Sequence, residues 1–311
     1  MKELIRIGSR ASKLALWQTY YIEDRLKQAG FATEIFSLES KGDKVLHTSF
    51  AEIGTKGLFT EELEDKLISG EIDIAVHSAK DMQTDLGKDL ELIAFTEREG
   101  CHDVLLSLDK NFNIDDSSEN WLIGTSSTRR NALLKYYYPH TKTTEARGNL
   151  QTRMKKLEDG KFQAMILAYA GVHRMGMESY IVKNFATDEF TPAVGQGCIA
   201  VEASKNLDPQ KRAAIRNAVN HQTTEICLLA ERAFLKKLEG GCSIPVFGLA
   251  TINNDQLSIS GGVISLDGKE MIKTSMTGST EHPEQLGLKL AEDILSKGGG
   301  KVLEEIKRVR S

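Results

Sequence analysis

The chain has 311 residues, a formal net charge of −4 and 40% hydrophobic residues. This is the balance of a globular protein of two or three domains, and the acidic excess argues against a nucleic-acid partner, which calls for a basic surface. The longest apolar stretch, Ala164 to Val172, is too short to cross a bilayer, and residues 1–30 lack the apolar core of a signal peptide, so a cytoplasmic protein with no membrane partner is expected.

Leu4–Ile7 reads as a strand broken by Gly8-Ser9-Arg10, and a helical pattern runs from Lys13 to Gln28. Thr60–Ile68 reads as a helix with Glu61 and Glu62 in its first turn, where they suit the helix dipole. Gly70 ends it, and Ile72–Val76 follows as a short buried strand. The pattern then recurs. Leu122-Ile123-Gly124 leads into Thr125 to Arg130 and a helix through Tyr137, and Met154–Leu157 with Gly160 precedes a strand at Ala164–Ala168. This alternation predicts two similar doubly wound α/β domains of periplasmic-binding-protein type. The chain is expected to cross between them near Glu97–Gly100 and to return near Thr191–Gly197.

The last third differs. Thr224–Leu238 reads as a helix stopped by Gly240-Gly241, glycines being suited to the positive φ that ends helices. Strands are expected at Phe247–Ile252, Leu257–Ser265 and Met271–Thr277, with turns at Asn253-Asn254 and Asp267-Gly268. A helix from Glu284 to Leu295, a break at Gly298–Gly300 and a final helix complete a small α+β domain. The expected boundaries are 1–98 with 196–216, 99–195, and 217–311.

Cations gather where strands end and helices begin: Arg10 beside Ser12, Lys80 after the Ile72–Val76 strand, Arg129 and Arg130 after Ser126-Ser127, then Arg147, Arg153 and Arg174. Helix N-termini and the carboxyl ends of strands in open α/β sheets favour anions, and arginine bonds a carboxylate with two parallel N–H groups. Each cation read singly also fits a solvated surface. No nucleoside-triphosphate loop is present. Asp81 would enter the same cleft, either as a turn residue or as an acid facing a developing positive charge. His77 reads more readily as scaffold than as a base.

The four cysteines are Cys101, Cys198, Cys227 and Cys242; none makes a CxxC pair or a zinc-type cluster, so no metal is expected. The segment Glu239-Gly240-Gly241-Cys242-Ser243 is the most unusual in the chain. Its residues alone leave open a packed thiol or a reactive one. The preceding helix presents its C-terminus, which does not favour a lasting thiolate.

Taken together, Gly8-Ser9-Arg10 with Ser12, Gly54-Thr55-Lys56-Gly57, Asp73 to Asp81, Gly124 to Arg130, Arg147-Gly148-Asn149, Pro192 to Gly197 and Glu239 to Cys242 closely resemble the porphobilinogen deaminase (hydroxymethylbilane synthase) family. The resemblance covers essentially the whole chain. It implies a dipyrromethane cofactor joined by a thioether to Cys242. Four porphobilinogen units would be added, each losing ammonia and passing through an azafulvenium-like cation, before water releases hydroxymethylbilane. It implies that Asp81 is catalytic. Ser12, Lys80, Asp81, Thr125, Ser126, Arg129, Arg130, Arg147 and Gly148 would hold the cofactor. Arg10, Lys56, Arg153, Arg174 and Gln196 would contact substrate. A monomer is expected. Glu52 stands where the family often has lysine, which bears on the loop expected to cover the cleft.

Two rival readings exist: a non-catalytic two-domain anion-binding protein, and a cysteine-dependent hydrolase. The Asp81–Cys242 combination and the missing signal peptide disfavour the first. No histidine lies near Cys242 in sequence to serve the second. On the deaminase reading, the fully extended product carries more carboxylates than the named cations can neutralise. Added salt should therefore stabilise late enzyme-bound intermediates more than early ones, as resolved by native mass spectrometry; equal effects on all would contradict this.

Overall fold

A computed structural model describes residues 3–38, 61–241 and 244–310. The strands in chain order are β1 Leu4–Arg10, β2 Ala32–Leu38, β3 Ile74–Ser78, β4 Leu90–Phe95, β5 Asp103–Ser107, β6 Leu122–Gly124, β7 Lys142–Thr144, β8 Ala164–Ala168, β9 Ile181–Asn184, β10 Ile199–Ser204, β11 Val246–Asn253, β12 Gln256–Ile264 and β13 Met271–Ser279. The helices are α1 Lys13–Gln28, α2 Glu61–Ile68, α3 Thr128–Tyr137, α4 Leu150–Glu158, α5 Tyr169–Arg174, α6 Pro209–Val219, α7 Gln222–Lys237, α8 Pro283–Ile294 and α9 Gly300–Arg310. No helix among the described residues is long and apolar enough to cross a membrane.

The chain divides into two compact units, residues 1–98 with 198–225, and residues 99–197 with 226–311. In the first, the sheet order is β2-β1-β3-β10-β4; β1 runs parallel to β2 and β3, and β10 runs antiparallel to β3 and β4. The second unit repeats this as β7-β6-β8-β5-β9, with β5 the reversed strand. The reversed strand of each sheet is the one reached by a chain crossing. Two similar α/β sheets with a small α+β part is thus the observed fold class.

Register shows how close the repeat is. Gly8 pairs with Ala75 in one sheet, and Gly124 pairs with Met165 in the other. Both glycines exist for the same packing reason. A Cβ on Gly8 would lie 2.4 Å from Cδ1 of Ile72, and one on Gly124 would lie 2.7 Å from Cζ of Phe162. Ile72 and Phe162 each sit two residues before a central strand, so the strand end must lack a side chain for the preceding turn to close over it. This explains why β3 begins at Ile74 rather than at Ile72: Ile72 is a core residue of the turn, where its N–H and that of Glu71 both reach the Lys66 carbonyl.

The third sheet is the antiparallel meander β11-β12-β13. Phe234 of α7 and Leu238 just beyond it, Leu290 and Ile294 of α8, and Val302 and Ile306 of α9 pack on Leu257, Ile259 and Val263 of β12. The β11–β12 turn is Asn254-Asp255, both at positive φ, one residue later than expected because Asn253 is still paired, with Gln256. The break after α8 is confined to Gly298, at φ 106. The stop after α7 also differs from expectation. Glu239, not a glycine, takes the positive φ of 50, and the Gly240 N–H bonds the Leu235 carbonyl at 3.0 Å. Gly240 is needed for space, since a Cβ there would lie 2.4 Å from Cδ1 of Leu235.

Gly124→Ala should destabilise the protein by about 1–3 kcal/mol, the usual cost of overpacking, measured as a shift of the urea midpoint. Adding Phe162→Leu should recover part of the loss.

Candidate active site

In the first unit the site residues lie at the carboxyl ends of β1 and β3. β1 stays paired to β2 as far as Arg10 and Leu38, and Ser12 then caps α1, its Oγ accepting from the Ala15 N–H at 3.4 Å. As an acceptor in the cap, the hydroxyl keeps its own hydrogen for donation. β3 ends in a single 3-10 turn, Ala79–Asp81, anchored by Ala79 N–H to the Cys198 carbonyl at 3.0 Å. Ala79 is buried, Lys80 half-buried and Asp81 exposed. Asp81 makes no hydrogen bond or ion pair among the described residues. Gln18 fixes the strand end through Ser78 at 2.9 Å. His77 is buried with Nε2 3.1 Å from the buried Glu202 carboxylate, which suits the scaffold reading.

The second unit places its candidates at the carboxyl ends of β6, β7 and β8. Thr125 is buried; its N–H donates to the Thr144 carbonyl at 2.9 Å, and its Oγ1 accepts from the Ser127 N–H at 3.2 Å. Ser127 caps α3, leaving Ser126 exposed. Gly148 sits at φ 105, a conformation costly for any other residue, and lets Asn149 cap α4. Arg153 Nε donates to the Gly148 carbonyl at 2.8 Å, and Arg147 meets Glu145 at 2.7 Å.

Arg129 and Arg130 are not surface cations. Both are buried and both close on Asp103, which is fully buried at the head of β5. Arg129 Nη2 reaches Oδ2 at 2.7 Å, while Arg130 Nη2 and Nε reach Oδ1 at 2.8 and 3.2 Å. Gln196 adds its amide to Oδ1 at 2.9 Å and also donates to the Cys101 carbonyl at 2.8 Å. Arg129 Nη1 donates to the Thr191 carbonyl and Arg130 Nη1 to that of Ile166. Burial alone would raise the Asp103 carboxyl, but the two guanidiniums outweigh it and hold it well below the usual carboxylate range. Burial pulls Arg129 below its ordinary value, against the pull of Asp103. Arg174 is likewise engaged, through Glu99 at 2.8 Å and the Gly197 carbonyl at 2.9 Å.

The structure thus gathers Arg129, Arg130 and Gln196 around one acid. It sets Lys80 beside an exposed Asp81, and it gives Arg174 and Arg147 carboxylate neighbours of their own. Lys56, Glu52 and Cys242 lie outside the described residues. Cys242 falls between α7 and β11, where the Ile244 N–H bonds the Gly241 carbonyl at 3.0 Å. Asp103 and Glu99 were not anticipated from the sequence. The sequence around Asp103, an aspartate before the apolar run Val104-Leu105-Leu106, gives no sign of its burial, since aspartates are mostly exposed. Among the described residues no cluster of His, Cys, Asp or Glu has the makings of a metal site.

The family model described as "Porphobilinogen deaminase, dipyromethane cofactor binding domain" matches residues 5–212, and that of the "Porphobilinogen deaminase, C-terminal domain" matches residues 225–296. The chain belongs to the porphobilinogen deaminase family. Named porphobilinogen deaminases of the same family include that of Desulfosudis oleivorans, 55% identical with 98% of each chain covered, and that of Cytophaga hutchinsonii, 48% identical with 99% of this chain and 98% of the other covered. Among solved structures, the VFT2 domain of Bordetella pertussis BvgS is 15% identical with a TM-score of 0.43, covering 69% of this chain and 86% of that one. A substrate-binding domain of a putative amino acid transporter from Streptococcus pneumoniae is 12% identical with a TM-score of 0.44, covering 70% and 91%. The fold assignment rests on the strand order above rather than on these two.

Asp103→Asn leaves two buried guanidiniums without a counter-charge and should cost about 3–5 kcal/mol, read by thermal unfolding. A carboxyl held low in the folded state adds stability that is fully present above its unfolded value, near pH 4, and lost as pH falls toward the folded one. Wild type should therefore lose stability more steeply than Asp103→Asn below about pH 4, with parallel profiles from pH 5 to 8.

Proposed function

We propose that this chain is a hydroxymethylbilane synthase. It condenses four porphobilinogen molecules in sequence onto a dipyrromethane primer held through Cys242, with loss of ammonia each time, and releases the linear tetrapyrrole by hydrolysis. The observation that carries the reading within the full-length family match is Asp81. It is an exposed carboxylate, without a partner among the described residues, next to Lys80 at the carboxyl end of β3.

The donor set fits the cofactor in both signs. Pyrrole N–H groups call for an acceptor, which Asp81 provides, and acetate and propionate arms call for donors. Ser12 and Ser126 have hydroxyls to give, and Lys80, Arg147 and the N-terminus of α3 add positive charge. When bound, the dipyrromethane supplies a pyrrole with an unsubstituted α-carbon to which the first substrate is joined. Asp81 accepts pyrrole N–H groups, faces the cation left on the incoming substrate once ammonia has gone, and assists proton transfer. Arg10, Lys56, Arg153 and Arg174 bind substrate arms, each charge-assisted bond being worth about 1.5–3 kcal/mol. Thr125 and Gly148 shape the backbone that presents Ser126 and Arg147.

Arg129, Arg130 and Gln196 belong to this reading in a modified form. The two guanidiniums and Asp103 together keep one net positive charge, so the cluster acts on the cofactor as a fixed positive field. The same reading has the protein working as a cytoplasmic monomer without membrane or nucleic-acid partners. Its domains are 1–98 with 196–216, 99–195, and 217–311.

Intact mass tests the proposal. Wild type should exceed its sequence mass by one dipyrromethane unit, and Cys242→Ala should not; a fully active wild type of unmodified mass overturns the reading. Asp81→Asn should retain the adduct yet lose about 10²–10⁴-fold in turnover.

A further inference from the structure

The crossing into the second unit carries a cluster of titratable side chains that the chemistry above does not use. Tyr169 opens α5, and His102 and His173 stack on it at centroid distances of 4.6 and 5.6 Å, with interplanar angles of 23° and 9°. His102 is tied down on its far side, its Nε2 lying 3.1 Å from the Asn184 side-chain oxygen. Gly100 leaves room for the stack, since a Cβ there would sit 2.6 Å from Tyr169.

His173 has a carboxylate at each ring nitrogen. Nδ1 meets Glu178 at 2.5 Å, and Nε2 lies 3.6 Å from Oε1 of Glu99. The other oxygen of Glu99 accepts from Arg174 Nε at 2.8 Å. Glu99 Oε1 is itself buried and accepts no hydrogen bond among the described residues. Two residues adjacent in sequence, His173 and Arg174, therefore stand on opposite oxygens of one carboxylate.

We propose that His173 is a positioning residue for substrate: through Glu99 it sets how much of the Arg174 charge is available to a substrate carboxylate. The inference deepens the assignment of Arg174 to substrate arms and rests on it. A neutral imidazole has one N–H, and the short contact to Glu178 claims it at Nδ1. Nε2 then turns a lone pair toward Glu99 Oε1, and Glu99 is left to Arg174 alone. A protonated imidazole has a hydrogen on each nitrogen and attracts both acids. Glu99 is then shared, and Arg174 is less neutralised by it. A backbone N–H bond first, and the contact with His173 second, hold Glu178 below its ordinary carboxyl value. The charged or titratable groups facing the imidazole are Glu178, Glu99 and the stacked Tyr169, with Arg174 beyond Glu99. His173 is half exposed, so its effect on binding has the size of a surface ion pair, about two- to fivefold in affinity.

The test is the pH profile of KM and kcat for porphobilinogen between about pH 5 and 8, the interval in which imidazoles as a class change charge. Wild-type KM should fall about two- to fivefold toward the acid side relative to His173→Gln, with kcat unchanged between the two. His173→Gln should hold the high-pH KM throughout, and His173→Lys, permanently charged, the low-pH KM. In a Glu99→Gln background the His173→Gln change should leave KM unaltered, because the carboxylate linking the two residues is gone. Arg174→Gln separates the two levels of the argument. If it leaves KM at the wild-type value, the role of Arg174 and the inference fall together. If it raises KM while His173→Gln keeps the wild-type pH profile, the inference alone is overturned.

Discussion

The second unit is organised around one carboxylate held between two guanidiniums. Asp103 is fully buried, and a charge in that position is tolerable only because Arg129 and Arg130 close on both oxygens and Gln196 adds a further donor. The requirement reaches far along the chain. It fixes the first turn of α3, which carries both arginines, against the head of β5. Through Arg129 it holds the Thr191 carbonyl, through Arg130 that of Ile166 in β8, and through Gln196 that of Cys101. Segments from five parts of the sequence are aligned by one ion cluster. The residual positive charge is locked in place by these bonds.

The two sheets share an architecture and differ in where they place an acid. By register, Ser78 of the first occupies the place of Ala168 in the second, opposite Ile199 and Asp103 respectively. Where one unit has a buried acid, the other has isoleucine. Three residues past Ser78 stands Asp81, and three past Ala168 stands Gly171. One unit thus offers an acid to the outside, while the other keeps its acid inside to anchor cations. One framework thus presents two edges, and the residues at matched positions give them opposite character.

The sequence carried the fold well where periodicity is strong. α1 has the expected bounds, the repeated βα pattern is the observed repeat of two sheets, and the meander lies where alternation placed it. It was weaker where tertiary packing overrides local pattern. Ile72 looks like a strand residue and is a turn residue, because it must lie under Gly8. Glu239 adopts a left-handed conformation beside two glycines better suited to it, because Gly240 is needed against Leu235. For the candidate site, the sequence pointed to strand–helix junctions. They could not separate Arg129 and Arg130, which face inward, from the cations nearer the surface, since the deciding residue, Asp103, lies far from them in sequence.

The strand order has a consequence for how the protein is made. β4 is an edge strand whose partner in the sheet is β10, and β10 lies on the far side of the whole second α/β sheet in sequence. The second sheet, by contrast, is built from the unbroken run β5 to β9. A chain leaving the ribosome in order can pair every strand of the second sheet before β10 has emerged, while the first sheet waits with β4 unpaired and one edge of β3 open. The five-stranded sheet that begins first is closed after the second one. Until residues 199–204 have been made, β3 and β4 lack the strand that lies between them.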